Sequence, residues 1–514
     1  MPYIDFNVQD QLVENGRYDY TIIGAGAAGI LLAVKLTEFG FNVLLIESGH
    51  FEVDENRQRL NEVVQKGKIL NNAIWGRKRA IGGSTLAWGG QSLPFGSLDF
   101  KKRDWVKNSG WPISIDELKQ YYHEANEFMK IDSLDYKDEI FRKINIKDPG
   151  FDANFIDYHV SKWASEPNFK KLYDNILKNK ITVIFNAVVH TINTLNNSVV
   201  SIDIFNFKKN KKTIPVKNLI IAAGGIETNR ILLNNHHLFE TTDHSKFLGH
   251  GFMDHPCVEA GEIETQEAYR LQRCFNTHIY NNKKYSLRLS VSEQFQRKEK
   301  ILNCSGSIMF RPSPDNFDPY AEIKLFQRDF NFLRFFKMGT AFKYLPLSAF
   351  ALLFHNFYYK AKATAKLVLM IEQEPLQTST IALSDETDEF GQKKALINWN
   401  ISELTWKTAV KSSQAIKREM ERLKFANVSV YPEINLHNKD WINLLSDVNH
   451  HMGGCKMSSS SSSGVVNSNL KLWCQTNVFI CSSAVFPTSS HSNPTLTILA
   501  LGARLARYLK EASL

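Results

Sequence analysis

The sequence predicts an α/β fold built on a parallel nucleotide-binding sheet. Three stretches carry that expectation. Residues 18–50 read as strand, glycine turn, helix and second strand. Residues 219–230 repeat the order of buried strand, glycine turn and helix. Near the C-terminus, Val478 to Cys481 is a short buried strand, and Asn493-Pro494 then opens a further helix. At 514 residues the chain has room for roughly three domains, so this sheet accounts for only part of it.

In the first unit Tyr20 to Ile23 is a β-branched run that reads as a buried strand. Gly24, Gly26 and Gly29 follow at GxGxxG spacing. Gly24 allows the tight turn, Gly26 lets a pyrophosphate approach the backbone, and Gly29 lets helix and strand pack closely. The helix that follows, Ala27 to Glu38, offers free N–H groups and the positive end of its dipole to phosphates. Phe41 to Ile46 is the second strand, and it ends in Glu47, 23 residues after Gly24. A carboxylate there accepts hydrogen bonds from a ribose hydroxyl and repels a 2′-phosphate, which argues against NADP. The unit leaves NAD and FAD open.

Beyond it, residues 51–72 are polar with a helical pattern. The run Trp75-Gly-Arg-Lys-Arg-Ala-Ile-Gly-Gly-Ser-Thr-Leu-Ala-Trp-Gly-Gly90 suits a loop and short helix lying against a large flat ligand, because its glycines allow close backbone approach. Ser114 caps a helix, and Glu117 completes a capping box. Residues 181–207 alternate as strand, turn and strand, with Lys208, Lys209, Lys211 and Lys212 read as a solvated hairpin tip. Residues 257–310 and 367–400 have strand character, with Ser379 to Asp388 a strand entering an acidic turn. Residues 402–423 form an amphipathic helix, and Ser458 to Ser463 a surface loop. Pro494 takes the favoured first helical position; small residues Ser482, Ser483 and Ala484 lie beside that second helix N-terminus.

Composition narrows the class. The hydrophobic fraction of 43% supports a large core, and the net charge of +9 is modest at this length and implies no nucleic-acid partner. The six cysteines show no CxxC or other metal-like spacing and read as reduced core residues, so no metal is expected. The first twenty residues have no basic-plus-apolar leader pattern, and no apolar run reaches the ~20 residues that span a bilayer. A cytoplasmic location is the default expectation.

Several motifs in order make the chain resemble the glucose–methanol–choline (GMC) oxidoreductase family, in particular its pyranose oxidase-like and bacterial sugar-oxidising branch. They are the first βαβ unit, GGSTLAWGG, GWPISIDEL, AAGGIETNRILL, HHMGGCKM and AVFPTSSHSNPTLTILALGARLA. The resemblance implies a Rossmann-like FAD-binding domain built from discontinuous segments, residues 1–100, 181–256 and 445–514. It also implies an α+β substrate domain with an antiparallel sheet, residues 101–180 and 257–444. It implies FAD as cofactor, with Gly24, Gly26, Ala27, Ala28, Gly29 and Glu47 on the ADP part. Gly83, Ser84, Thr85, Trp88, Gly89 and Gly90 would lie along the flavin, and Val189 would reach the adenine through its backbone. Ser483, Ala484, Asn493, Pro494 and Thr495 would lie near the flavin end. Ala87 stands where some members attach FAD through a histidine, so FAD is expected to be noncovalent. Gly454 and Asn467 stand where many members have Thr and Asp.

Alcohol oxidation needs a base for the hydroxyl proton and an acceptor for the hydride. Imidazole suits the first role near neutral pH, and flavin suits the second. His450 matches the family's histidine and Asn493 its partner; His451 and His491 are the rival bases. The expected substrate is a secondary hydroxyl of a sugar or glycoside. A lipid-like or sterol-like alcohol is the alternative, and a non-catalytic module on a flavoprotein fold is opposed by the intact glycine pattern. The electron acceptor (oxygen, quinone or protein) and the oligomeric state stay open. Phe330 to Lys366 holds eleven aromatic residues, six Lys or Arg and no Asp or Glu. It reads either as an insertion packed on its own core or a subunit, with basic residues snorkelling, or as a peripheral membrane contact.

Overall fold

The N-terminal βαβ unit lies at the centre of a six-stranded sheet in the computed structural model, which describes residues 3–8, 18–144, 146–239, 246–311, 345–360 and 363–513. Strand order is Ile4–Asp5, Thr182–Phe185, Val43–Ile46, Tyr20–Ile23, Leu219–Ile221, Val478–Ile480. All five pairings are parallel. Parallel strands buried on both faces read as continuous apolar runs, and YTII, VLLI and LII do so. The helices Ala27–Glu38 and Thr495–Glu511 pack together. Gly502 makes that approach close, since a Cβ there would lie 3.0 Å from Leu31 Cδ2. Helix Ile115–Phe128 starts at the predicted capping box, with Ser114 and Glu117 each bonding the other's backbone N–H. It packs on Thr495–Glu511.

Strands Val188–Leu195, Ser198–Phe205 and Lys211–Pro215 form a three-stranded antiparallel meander between two strands of the parallel sheet. Lys208 and Lys209 sit in its turn, and Lys211 pairs with Asp203 at 2.9 Å.

The second body is antiparallel. Seven of its eight strands run Asn427–Val430, Cys257–Glu264, Thr364–Ile371, Cys304–Arg311, Lys283–Val291, Ile156–Trp163, Gln91–Ser92, and Thr277–Tyr280 pairs with Lys283–Val291 off that path. The helix Glu403–Arg422 packs on this sheet. A Cβ at Gly306 would lie 2.4 Å from Ile416 Cδ1, so a larger residue there would push that side chain aside. A five-stranded sheet, Met452–Gly454, His250–Met253, Thr380–Thr387, Lys393–Trp399 and Val63–Gly67, bridges to the parallel-sheet body. One apolar core surrounds the parallel sheet and its helices, and a second fills the antiparallel body.

Two expectations change. Residues 51–72, expected to be helical, are helical only at Glu55–Gln58 and in the 3-10 turn Arg59–Asn61. Val63–Gly67 is a strand paired in parallel with Lys393–Trp399. Its paired β-branched valines favour the extended form, and a sheet edge distant in sequence supplies the hydrogen bonds. Pro494 stands immediately before the helix Thr495–Glu511, with helical dihedrals and its carbonyl accepting from Ile498 N at 2.9 Å.

Of the aromatic and basic segment, Phe335, Phe336, Arg334, Lys337, Lys343 and Lys362 lie outside the described residues. Leu345–His355 is a helix. Leu347, Phe350, Leu353 and Phe354 on it are 41–75% exposed. No helix among the described residues is long and apolar enough to cross a membrane.

Candidate active site

The carboxyl ends of four parallel strands open on one cavity of about 650 Å³, at Ile23, Ile46, Ala222 and Ser482. Ligands bind at this edge of an open α/β sheet. The glycine turn builds its floor. Gly24 has φ +99°, and a Cβ there would lie 2.7 Å from Ala222 O. A Cβ at Gly29 would fall 1.8 Å from Gly24 O, so the helix seats directly on the turn. At Gly26 a Cβ would meet nothing within 4 Å, because that residue faces the cavity. Gly83, with φ +55°, stacks on Gly26, where a Cβ would lie 2.8 Å from the Gly26 Cα. The GGST segment thus closes over the first turn.

Glu47 is buried at the end of its strand. One carboxylate oxygen accepts from Ala25 N at 2.9 Å, the other from Gly49 N at 2.8 Å and Ser48 Oγ at 3.2 Å. Burial raises its proton affinity, against those bonds and the nearby Arg79. A carboxylate oxygen has two acceptor sites, so acceptor capacity remains for a ribose hydroxyl. Arg77 and Arg79 also line the cavity. Arg79 pairs with Glu227 at 2.8 Å and donates to Ser48 Oγ at 2.8 Å. Burial pushes Glu227 upward, but Arg79, Arg230 and Arg77 pull it down to about 2. Burial lowers Arg77 to about 9. Open space over Gly26, a free helix N-terminus, a buried acid at the second strand and two arginines suit the phosphates and ribose of FAD.

His450 and Asn493 line the same cavity. Three hydrogen bonds fix their protons. His255 Nε2 lies 3.1 Å from Ser489 O, a pure acceptor, so Nε2 carries the hydrogen. Burial lowers His255 to about 4, and His450 well below the usual histidine value, with His255 and His451 adding to it. Both rings are therefore neutral near pH 7. His255 Nδ1 is then a lone pair, 2.9 Å from His450 Nδ1, which must donate. The network assigns the remaining lone pair to His450 Nε2. Asn493 Nδ2 donates to it at 3.1 Å. Asn493 Oδ1 is buried without a partner.

Asp254 holds this corner together by accepting from the backbone N–H groups of His255 at 2.6 Å and His450 at 3.0 Å. Burial raises Asp254 to about 7. His451 also lines the cavity, with its Nε2 buried without a hydrogen-bond partner 3.7 Å from Asp254 Oδ2, and burial lowers it to about 3. Ser483 Oγ donates to its carbonyl at 2.6 Å, and a Cβ at Gly225 would lie 2.2 Å from that oxygen. His491 does not line the cavity.

Among the residues singled out from sequence, Gly24, Gly26, Ala27, Ala28, Glu47, Gly83, Ser84, Thr85, Trp88, Gly89, Val189, His450, His451, Ser483, Asn493, Pro494 and Thr495 line the cavity. Gly29, Gly90 and Ala484 do not. Gly29 seats the helix, Gly90 packs on Ala164 and Pro167, and Ala484 O accepts from Cys455 N. Sequence reasoning missed Arg77, Arg79, Glu227, His255 and Asp254. An Arg-Lys-Arg run just before the paired glycines pointed to the first two. Asp254-His255-Pro256, closing a short apolar run, was the signal for the last pair.

Residues 375–502 match the family model described as GMC oxidoreductase. The chain is 22% identical to the fructose dehydrogenase large subunit of Gluconobacter japonicus over 95% of its length and 97% of that protein's. It is 21% identical to a 2-methyl-1,2-propanediol dehydrogenase of Mycolicibacterium austroafricanum, covering 96% and 95%. Among solved structures it is similar to pyridoxine 4-oxidase from Mesorbium loti, with a TM-score of 0.55 and 14% identity over 96% of this chain and 99% of that one.

Proposed function

We infer, for a chain that carries the GMC oxidoreductase signature over residues 375–502, that it is an FAD-dependent enzyme oxidising the CH–OH group of a sugar or glycoside to a carbonyl. The observation that carries this reading is the lone pair of His450 Nε2, held in the cavity beside Asn493 by a chain of neutral hydrogen bonds. In the reaction a substrate hydroxyl displaces the Asn493 amide from Nε2 and gives its proton to His450. Asn493 Nδ2 then donates to the substrate oxygen and steadies it as charge develops. The imidazolium keeps its Nδ1 hydrogen bond to His255. Bound FAD supplies the acceptor for the hydride from the same carbon. Glu47, Arg77, Arg79 and the Gly24–Gly29 turn hold its ADP half, and the Gly83–Gly90 segment its flavin side. Ala87 lines the cavity with no nucleophile, which supports noncovalent FAD.

The sugar preference draws support from the fructose dehydrogenase relative. A second reading, an amphiphilic alcohol taken up at a membrane surface, is favoured by one observation: the exposed apolar side chains of helix Leu345–His355. The test is a product screen of free sugars, glycosides, nucleotide sugars and long-chain alcohols with an artificial electron acceptor. A ketone or lactone from a sugar supports the proposal. Turnover confined to long-chain alcohols contradicts it and selects the second reading.

A further inference from the structure

The antiparallel sheet has one apolar face and one polar face. Tyr285, Leu287, Leu289, Leu367 and Leu369 are buried on the first, in the same apolar core as Ile416 of the helix Glu403–Arg422. The second begins at the cavity wall. Gln91 and Trp163, directly paired across two strands, both line the cavity. Side chains alternate along a strand, so Ser161 and His159 continue the row from Trp163. Gln91 Nε2 donates to Ser161 Oγ at 2.9 Å. On the next strand Ser286 pairs with Ser161 and Arg288 with His159.

Arg288 is the uncommon member of this row. It is partly exposed, and the burial of its guanidinium lowers it to about 10. One Nη donates to Ser307 Oγ, while Nε is buried without a partner. Among the described residues no carboxylate pairs with it, and the ionisable neighbour that acts on it is Cys257. A buried cation is normally paired, because leaving it alone is costly. Its surroundings are donors in waiting. His491, two residues before Asn493, is buried with both ring nitrogens unpartnered, and its ring centroid lies 5.2 Å from that of His159. His491 and Arg288 both act on His159. His491 also acts on His255, the ring that holds His450, so His491, His159 and an uncompensated guanidinium lie in sequence near the proposed reacting end.

We propose that Arg288, with His159, binds an oxyanion carried by the substrate, so that the enzyme acts on an acidic sugar bearing a carboxylate or a phosphate. The proposal rests on the reading of His450 and Asn493 as the reacting end, and it names the part of the substrate distant from that end. Guanidinium forks suit both anions, through two parallel charge-assisted hydrogen bonds. The second Nη of Arg288 and a ring nitrogen of His159 are the groups left for it, neither being sealed off nor bonded to protein.

The test is calorimetric binding of D-glucuronate, D-glucose 6-phosphate and neutral D-glucose to the FAD-loaded enzyme and to Arg288→Leu and Arg288→Lys. At least one anion is expected to bind about 30-fold or more tightly than glucose, and that preference to vanish in Arg288→Leu. Arg288→Lys keeps the charge without the fork and is expected to retain an intermediate preference. Preference for glucuronate identifies a carboxylate, and for glucose 6-phosphate a phosphate. Flavin content and circular dichroism check that the variants fold. The proposal is overturned if glucose binds as tightly as both anions, or if Arg288→Leu binds the preferred anion unchanged. Repeating the titration with His450→Ala separates the two readings. Anion preference retained by a variant that still turns over would defeat the base assignment alone, and preference absent from a wild type that His450→Ala inactivates would defeat the anion site alone.

Discussion

At the residue scale, the pairing of His255 with His450 does the work that a carboxylate does beside many catalytic histidines: it fixes which nitrogen carries the proton. A leucine at 255 leaves His450 Nδ1–H without its acceptor and frees the ring to present the other tautomer. His255→Leu is expected to slow flavin reduction by about 10–100-fold, less than the ~10²–10⁴-fold that general-base catalysis contributes in full, because the base itself remains. Flavin content should be unchanged. His255→Asn, whose carbonyl oxygen can accept the same hydrogen, is expected to recover most of the rate. Rapid-mixing kinetics on both variants check this, and equal impairment would reduce His255 to a packing role. Asp254 gives a second expectation. Its folded-state value of about 7 exceeds the ordinary 3.8, so between those pH values the folded chain keeps a proton that the unfolded chain releases. Stability therefore falls as pH rises through that window, opposite to a salt-bridged carboxylate. Asp254→Asn keeps the backbone acceptor and removes the penalty. Its thermal midpoint should exceed the wild type's at about pH 8 and equal it near pH 3; the same difference at both would refute the burial account. His450 and Asn493 were legible because motifs carry them. His255 was not, because 195 residues separate it from the ring it touches and no local periodicity encodes that contact.

At the scale of elements, the glycine turn and the GGST segment are best understood as one unit. Gly83→Ala would place a methyl 2.8 Å from the Gly26 Cα at a positive φ, at a cost on the order of 1–3 kcal/mol. The expected outcome is a lower flavin-to-protein ratio after gel filtration, with the antiparallel body intact. Full flavin retention would show that the two segments do not cooperate. The helix Leu345–His355 presents Phe350 and Phe354 to solvent at 46% and 63% exposure. If it meets a membrane, the protein floats with anionic liposomes at low salt and Phe350→Ser with Phe354→Ser stays at the bottom. Wild type remaining at the bottom leaves these side chains to a protein contact. Elements with strong local signals were readable in advance: the capped helix at Ser114, the buried strands, the helix after Ser402. Val63–Gly67 was misread because five residues between polar neighbours carry little periodicity, and its partner strand, Lys393–Trp399, is distant in sequence.

At the scale of the molecule, the parallel sheet supplies the floor of the cavity. The loop carrying His450 supplies one wall, and the antiparallel sheet, through Gln91 and Trp163, another. The first part was legible because glycine spacing and strand-end acidity are local codes. The second was not, because a sheet face is assembled from strands scattered between Gln91 and Val430, and its chemistry appears only once register is set. Ligand binding to the folded state alone stabilises it by mass action, so stripping FAD is expected to lower the thermal midpoint and adding it back to restore it. Acid precipitation should release the flavin to the supernatant; flavin retained in the pellet would contradict a noncovalent site. The account as a whole turns on His450 as the base. Anaerobic rapid mixing of a sugar from the product screen with FAD-loaded wild type, His450→Ala and His451→Ala reads that step as loss of flavin absorbance. The account predicts that His450→Ala keeps its FAD and bleaches about 10²–10⁴-fold more slowly, with His451→Ala much less affected. Wild-type bleaching by His450→Ala, or the larger defect in His451→Ala, would contradict it.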